Sequence, residues 1–288
     1  MPKAVPLLSK IPEKSEFYQK YWNKSPFIIK GGIDKTVLQE LIPAEELAGL
    51  SLEEDIRSRI VMSGATPKDW TCEHGPFDEE KYSTLPEMNW SLLVQDVEKN
   101  HPPTASLLGE FAFSPSWLID DVMVSYSVPG GGVGPHIDSY HVFLVQGQGK
   151  RSWKIGHDPI QMGEYIEDID LKILKHEFDG DVFDVEAGDI IYIPPYFPHS
   201  GETTQESLTY SVGFLGPSLS EMMVEFGHFI EEQEKLNSRY AGAKLDEQSS
   251  GDDMSVGEVE NFRNSMRDAI NSEHFEAWLR SYFDDQCD

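Results

Sequence analysis

Between Asp121 and Phe214 the sequence falls into short runs with the composition of β-strands: VMVSYSV, HVFLVQ, RSWKI, DVFDVE, DIIYIP and LTYSVGF. They are set apart by PGGG, GQGK and EAGD. Glycine and proline at such intervals turn the chain back beside itself, so neighbouring runs should pair antiparallel. This succession constrains the fold more than any other feature. It predicts a mainly β protein, a sandwich or barrel with its core at about residues 121–215.

The flanks differ in character. Residues 15 to about 120 mix amphipathic helical patterns, EFYQKYWNK, PAEELAGLSLEE and NWSLLVQDVEKN, with extended runs, PFIIK and RIVMS. After Pro217 the period becomes helical through Met222, Met223, Phe226, Phe229 and Ile230, with Ser220 as the expected N-cap. The polar stretch GAKLDEQSSGDDMSVG is expected to be a mobile linker. Val259, Phe262, Met266, Ile270, Trp278 and Leu279 then repeat the amphipathic theme. Two apolar helical faces appended to a β core either pack on that core or pair in a homodimer. The expected organisation is therefore 1–216 for a β domain with a mixed N-terminal part and 217–288 for a helical region.

With 39% hydrophobic residues, including six Trp and fifteen Phe, the chain can fill a core. No basic patch followed by an apolar stretch opens it, and no run approaches the roughly 18 apolar residues of a membrane span. The expectation is a soluble, cytoplasmic protein. Cys72 and Cys287 stand far apart in sequence, which supports neither a disulfide framework nor a thiolate zinc site. Metal chemistry is accordingly expected to use nitrogen and oxygen. The formal charge of −28 disfavours nucleic acid and would attract a basic protein, unless it serves only solubility or a salty habitat.

In SVPGGGVGPHIDSYHVF, a strand would put His136 and Asp138 on one face, two residues apart. The glycines before them permit close backbone approach. A second segment, EAGDIIYIPPYFPHS, supplies His199, held near a sheet mouth after Pro194-Pro195 stops a strand. Two histidines and a carboxylate match the facial triad of non-haem Fe(II) oxygenases, and they also suit a hydrolytic zinc site. Arg151 discriminates. Alternation in RSWKI places it with Trp153 and Ile155 on the interior face, and a buried guanidinium requires an anion. A bidentate carboxylate is the natural match, and the far carboxylate of 2-oxoglutarate would provide it. Ser125, on the face of Met123 and Ser127, adds a supporting hydroxyl. The remaining histidines, His74 and His157 among them, are read as surface or structural residues, with His141 the closest in sequence to the first pair.

SVPGGGVGPHIDSYHVFLVQGQGKRSWKIG and GDIIYIPPYFPHSG resemble the metal-binding strands of the cupin-fold JmjC-type ribosomal oxygenases, in particular the bacterial branch that hydroxylates an arginine of a large-subunit ribosomal protein. The likeness extends through HGPF, NWSLLVQDVE, WLIDDVMVSYSV and YSVGF, covering most of residues 15–215. It implies a double-stranded β-helix holding Fe(II) by His136, Asp138 and His199. It further implies 2-oxoglutarate, with O2, bound by Arg151 and Ser125, a basic ribosomal protein as substrate, and a homodimer formed through the C-terminal helices. Members usually continue into a winged-helix domain, which is expected to be absent from a sequence ending at Asp288. Tyr196 stands where related cupins often have glycine. A histidyl hydroxylase, a lysine demethylase or a non-oxidative cupin would share the same core.

Overall fold

The computed structural model describes residues 4–111, 114–233, 236–240 and 254–284. The chain divides into two compact units, Met1–Leu215 and Gly216–Asp288. Among its described residues the first contains ten strands: β1 (Leu7–Leu8), β2 (Phe27–Ile29), β3 (Ser58–Met62), β4 (Thr71–His74), β5 (Trp90–Val94), β6 (Ile119–Ser127), β7 (His141–Gly156), β8 (Gly180–Glu186), β9 (Ile190–Ile193) and β10 (His199–Phe214). They run in the order β1-β2-β9-β7-β10-β6-β5-β3-β4, with β8 paired to β7.

β7 and β10 form the spine. They pair antiparallel from His199 opposite Ile155 to Phe214 opposite His141. The first part of β7 also pairs with β9, whereas its second part pairs with β8. A strand that changes partner along its length carries the sheet around a corner, and two such strands roll it into a double-stranded β-helix. The turn expected at GQGK is absent for this reason. β7 continues through Gly149, whose φ of +69° and close approach to the Glu206 carbonyl only glycine tolerates. The register slips opposite it, between Gln205 and Leu208. Glycine here marks a bulge at the bend rather than a hairpin.

The helix expected across NWSLLVQDVEKN is also corrected. Trp90–Val94 is a strand buried at every position between β3 and β6. Burial on both faces removes the alternation that identifies a strand. Asp96, with φ of +55°, ends it, and only Val97–Asn100 is helical.

An aromatic core seats the N-terminal segment on the sheet. Phe17, Phe27, Phe111, Phe143, Tyr192 and Phe214 are at most 2% exposed. Phe17 meets Phe27 and Tyr192 edge-on at centroid separations of 6.3 and 5.1 Å. Each such side chain contributes roughly 1.5–3 kcal/mol through burial.

Asp121, on β6, is a cost within this fold. Its Oδ2 is buried without a hydrogen-bond partner, and burial, helped by the neighbouring Asp120, raises the carboxyl from 3.8 to about 6. A folded value above the unfolded one means that the contribution to stability is complete below about 3.8 and is lost as pH rises through about 6. Asp121→Asn is therefore expected to stabilise the protein at pH 8 by on the order of 2 kcal/mol, a gain that shrinks toward pH 4.5. Calorimetric melting of both proteins at the two pH values checks this, and an equal shift at both would exclude the ionised carboxylate as the cause.

The second unit contains helices Leu219–Glu232, Val256–Ile270 and Glu273–Asp284. The first is capped by Ser218 rather than Ser220. Glu221 stands three residues after Ser218 and returns its carboxylate to the Ser218 amide, completing a capping box. Phe226, Phe275 and Trp278 form its small core, with centroids 4.9–5.3 Å apart. Met223, Val259, Met266 and Ile270 are exposed. The expected linker lies almost wholly outside the described residues. Among the described residues no helix is long and apolar enough to cross a membrane.

Candidate functional site

His136 and His199 face each other across a two-residue antiparallel bridge, each amide donating to the other's carbonyl at 3.0 Å. His199 is the first residue of β10. His136 and Asp138 lie in irregular chain, not in the strand the sequence suggested, so alternation is not what brings them together. The bridge positions His136, and the Tyr196 amide holds Asp138 by donating to its carbonyl at 2.7 Å. Tyr196 adopts φ of +67°, the left-handed conformation that glycine reaches most easily.

Gly132 makes this closeness possible. A Cβ there would strike the Gly201 carbonyl, and one at Gly201 would lie 2.8 Å from the Trp153 ring. The PGGG stretch is thus a layer of backbone packed on backbone, as its composition suggested.

The polar atoms converge. Asp138 Oδ2 lies 3.5 Å from His199 Nε2 and 3.9 Å from His136 Nε2. Nδ1 of His136 bonds to the Gly134 carbonyl at 2.9 Å and Nδ1 of His199 to the Phe197 carbonyl at 3.0 Å. A carbonyl only accepts, so each Nδ1 carries a proton and Nε2 is left as the nitrogen that can offer a lone pair to a metal. Burial, reinforced by His136, pushes the His199 imidazolium down to about 4, which keeps the ring neutral at ordinary pH. Two imidazoles and a carboxylate, each oriented by a backbone partner, are a donor set that fits a divalent transition metal.

These groups line a cavity of about 500 Å³ shared with Arg151. Arg151 is 4% exposed, on the interior face of β7 with Trp153 and Ile155 as alternation required. It donates to Ser125 Oγ at 3.4 Å, Thr209 Oγ1 at 3.3 Å and the Gly201 carbonyl at 3.2 Å, and its Nε has no hydrogen-bond partner among the described residues. Its guanidinium lies over the Trp153 ring, 4.9 Å from the centroid. Burial lowers it only to about 10, so it stays charged. Among the described residues no carboxylate pairs with it.

Thr209 was not anticipated. It sits directly opposite Ser125 in the β6–β10 ladder, where Ser207 faces Ser127 and Ser211 faces Met123. The signal was present as hydroxyls at alternate positions in SLTYS, mirrored in VSYS. His141 proves structural, stacked on Trp22 at 3.5 Å and bonded to the Tyr192 hydroxyl at 2.8 Å. His74 is not isolated. It meets Cys72 and Asp170 in a second cluster of metal-ligating groups, although the sequence suggested neither a partner for it nor any sulfur ligand.

Comparison with known proteins places this geometry. Residues 106–222 match the JmjC domain family. The ribosomal protein uL16 3-hydroxylase of Escherichia coli (strain K12) is 38% identical over 269 residues, 93% of this chain and 70% of that protein. The probable ribosomal oxygenase of Haemophilus influenzae (strain ATCC 51907 / DSM 11121 / KW20 / Rd) is 36% identical over 208 residues, 72% of this chain and 50% of that protein. Among solved structures, that of E. coli ycfD superposes with a TM-score of 0.79 at 37% identity, covering 94% of this chain and 72% of that one. The ribosomal oxygenase YcfD from E. coli in complex with cobalt and 2-oxoglutarate gives 0.76 at 37% identity, covering 94% and 71%. With an identity this high sustained over most of both proteins, the chain belongs to the JmjC-domain ribosomal oxygenases.

Proposed function

We propose that this protein is an iron(II)- and 2-oxoglutarate-dependent oxygenase that hydroxylates an arginine side chain of a large-subunit ribosomal protein. The observation that carries the reading is Arg151, a charged guanidinium buried without a carboxylate among the described residues, in the cavity that also holds His136, Asp138 and His199. A small dicarboxylate suits both ends of that space. In this reading His136, Asp138 and His199 hold the iron, while Arg151, Ser125 and Thr209 receive the distal carboxylate of 2-oxoglutarate. When bound, the iron and 2-oxoglutarate supply decarboxylation to succinate coupled to insertion of one atom of O2 into a C–H bond. The chain contributes orientation and exclusion of water. The Gly134 and Phe197 carbonyls keep both Nε2 atoms directed inward, and Trp153 screens the Arg151 guanidinium.

A ribosomal substrate is supported by the names of the relatives. Arginine is supported by the charge of −28, which favours a basic side chain and its protein over long range at low salt. The division near residue 216 is read as a catalytic part and a dimerising part, the exposed apolar residues of the C-terminal helices pairing two copies. The enzyme is read as acting in the cytoplasm, where ribosomal proteins are made.

The test is incubation with iron(II), 2-oxoglutarate and large-subunit ribosomal proteins, followed by peptide mass spectrometry. The expected result is the mass of one oxygen atom gained on an arginine, with matching succinate release. A gain on histidine, or loss of a methyl group from lysine, would overturn the choice of arginine. Absence of both succinate release and oxygen uptake with iron-loaded protein would favour a non-oxidative cupin.

A further inference from the structure

Cys72 and His74 stand two apart on β4, so their side chains leave the same face of a strand that ends the sheet order. Asp170 reaches them from the segment between β7 and β8. Cys72 Sγ lies 3.9 Å from His74 Nε2, and that nitrogen lies 2.8 Å from Asp170 Oδ2. One ligand atom from each residue falls within 4.8 Å of the other two. We propose that these three residues form a second divalent-metal site, of a thiolate, imidazole and carboxylate type suited to zinc(II), at the mouth of the cavity.

Two arguments support it. The first is chemical: sulfur, nitrogen and oxygen donors together suit zinc, and the only sulfur is a thiol that loses its proton to solvent as the metal binds. The second is geometric. Bonds of about 2.3 Å to sulfur and about 2.0–2.1 Å to nitrogen and oxygen in a tetrahedron put the ligand atoms about 3.3–3.6 Å apart. The separations of 3.9 and 2.8 Å fall on either side of that range, so side-chain movements on the order of 1 Å complete the site and leave the fourth position to water.

The position gives the site a consequence. His74 and Asp170 line the same cavity as Asp138 and Arg151. The segment carrying Asp170 is anchored near the candidate iron ligands by the Leu174 amide, which donates to the Pro135 carbonyl at 2.7 Å. A metal between Asp170 and β4 ties the segment at a second point and fixes how far the cavity opens.

Cobalt(II) alone, titrated into the full chain, is the probe. A thiolate bound to cobalt gives a near-ultraviolet charge-transfer band, which a site built from His136, Asp138 and His199 cannot produce because it contains no sulfur. The expected band saturates at one thiolate per chain, persists in Cys287→Ser, disappears in Cys72→Ser and is displaced by zinc(II). His74→Ala and Asp170→Ala should each need at least about tenfold more cobalt to develop it. Circular dichroism verifies that each variant keeps the fold, and the two alanine variants keep the test open if Cys72→Ser does not. No band in the parent protein, a band that survives Cys72→Ser, or unchanged affinity in both alanine variants would overturn the proposal. None of these readings depends on whether the cavity hydroxylates anything.

Discussion

Asp138→Ala is expected to lower turnover by at least about a thousandfold, equivalent to the several kcal/mol that a catalytic metal supplies. Asp138 provides the one oxygen in the converging group, 3.5 Å from His199 Nε2, and without it only the two imidazoles remain. Its structural duty rests on its carbonyl, which accepts from Tyr196, and alanine keeps that bond. The variant should therefore fold normally while retaining little iron. Succinate release, iron content after desalting and circular dichroism together provide the check. Turnover within tenfold of the parent would remove Asp138 from the ligand set.

Arg151→Met should move two measurements in opposite directions. Breaking a buried charge pair costs about 3–5 kcal/mol, so the apparent affinity for 2-oxoglutarate is expected to fall by at least about a hundredfold. The ligand-free protein should melt higher than the parent, because the change removes a cation that burial already opposes and leaves an apolar side chain of similar length beside Trp153. The parent gains about 2.7 kcal/mol at a hundredfold excess of ligand over Kd, and the variant should lose that gain. Melting curves with and without 2-oxoglutarate separate the two effects. An unchanged cosubstrate affinity would show that Arg151 answers some other anion.

The site was legible in the sequence wherever the chemistry was rare. A guanidinium on an alternating strand, and histidines beside glycine and proline, are costly residues in costly places, and Arg151, His136, Asp138 and His199 meet in one cavity as that reasoning required. Local geometry was less legible. The pair His136 and Asp138 meets His199 by a route other than the one expected, since a bridge to His199 aligns it and no strand does. Trp90–Val94 was hidden because burial on both faces erases the period of two. Ser218 was passed over for Ser220 although Glu221 marked the box. Thr209 and the meeting of Cys72 with Asp170 depend on pairing between distant segments, which a linear pattern does not encode.

The spine of β7 and β10 divides the molecule's freedom to vary. His199 lies opposite Ile155, Gly201 opposite Trp153 and Thr203 opposite Arg151, so the parts assigned to metal and cosubstrate are rungs of one ladder. An insertion of one residue between those rungs would turn Arg151 outward and dismantle the reading of both ligands at once. The segment between β7 and β8 belongs to no rung of that ladder. Beyond the bond from the Leu174 amide to the Pro135 carbonyl, which its inner part must keep, it can lengthen, shorten or change its side chains at the cavity mouth while the spacing of His199 and Arg151 stays fixed.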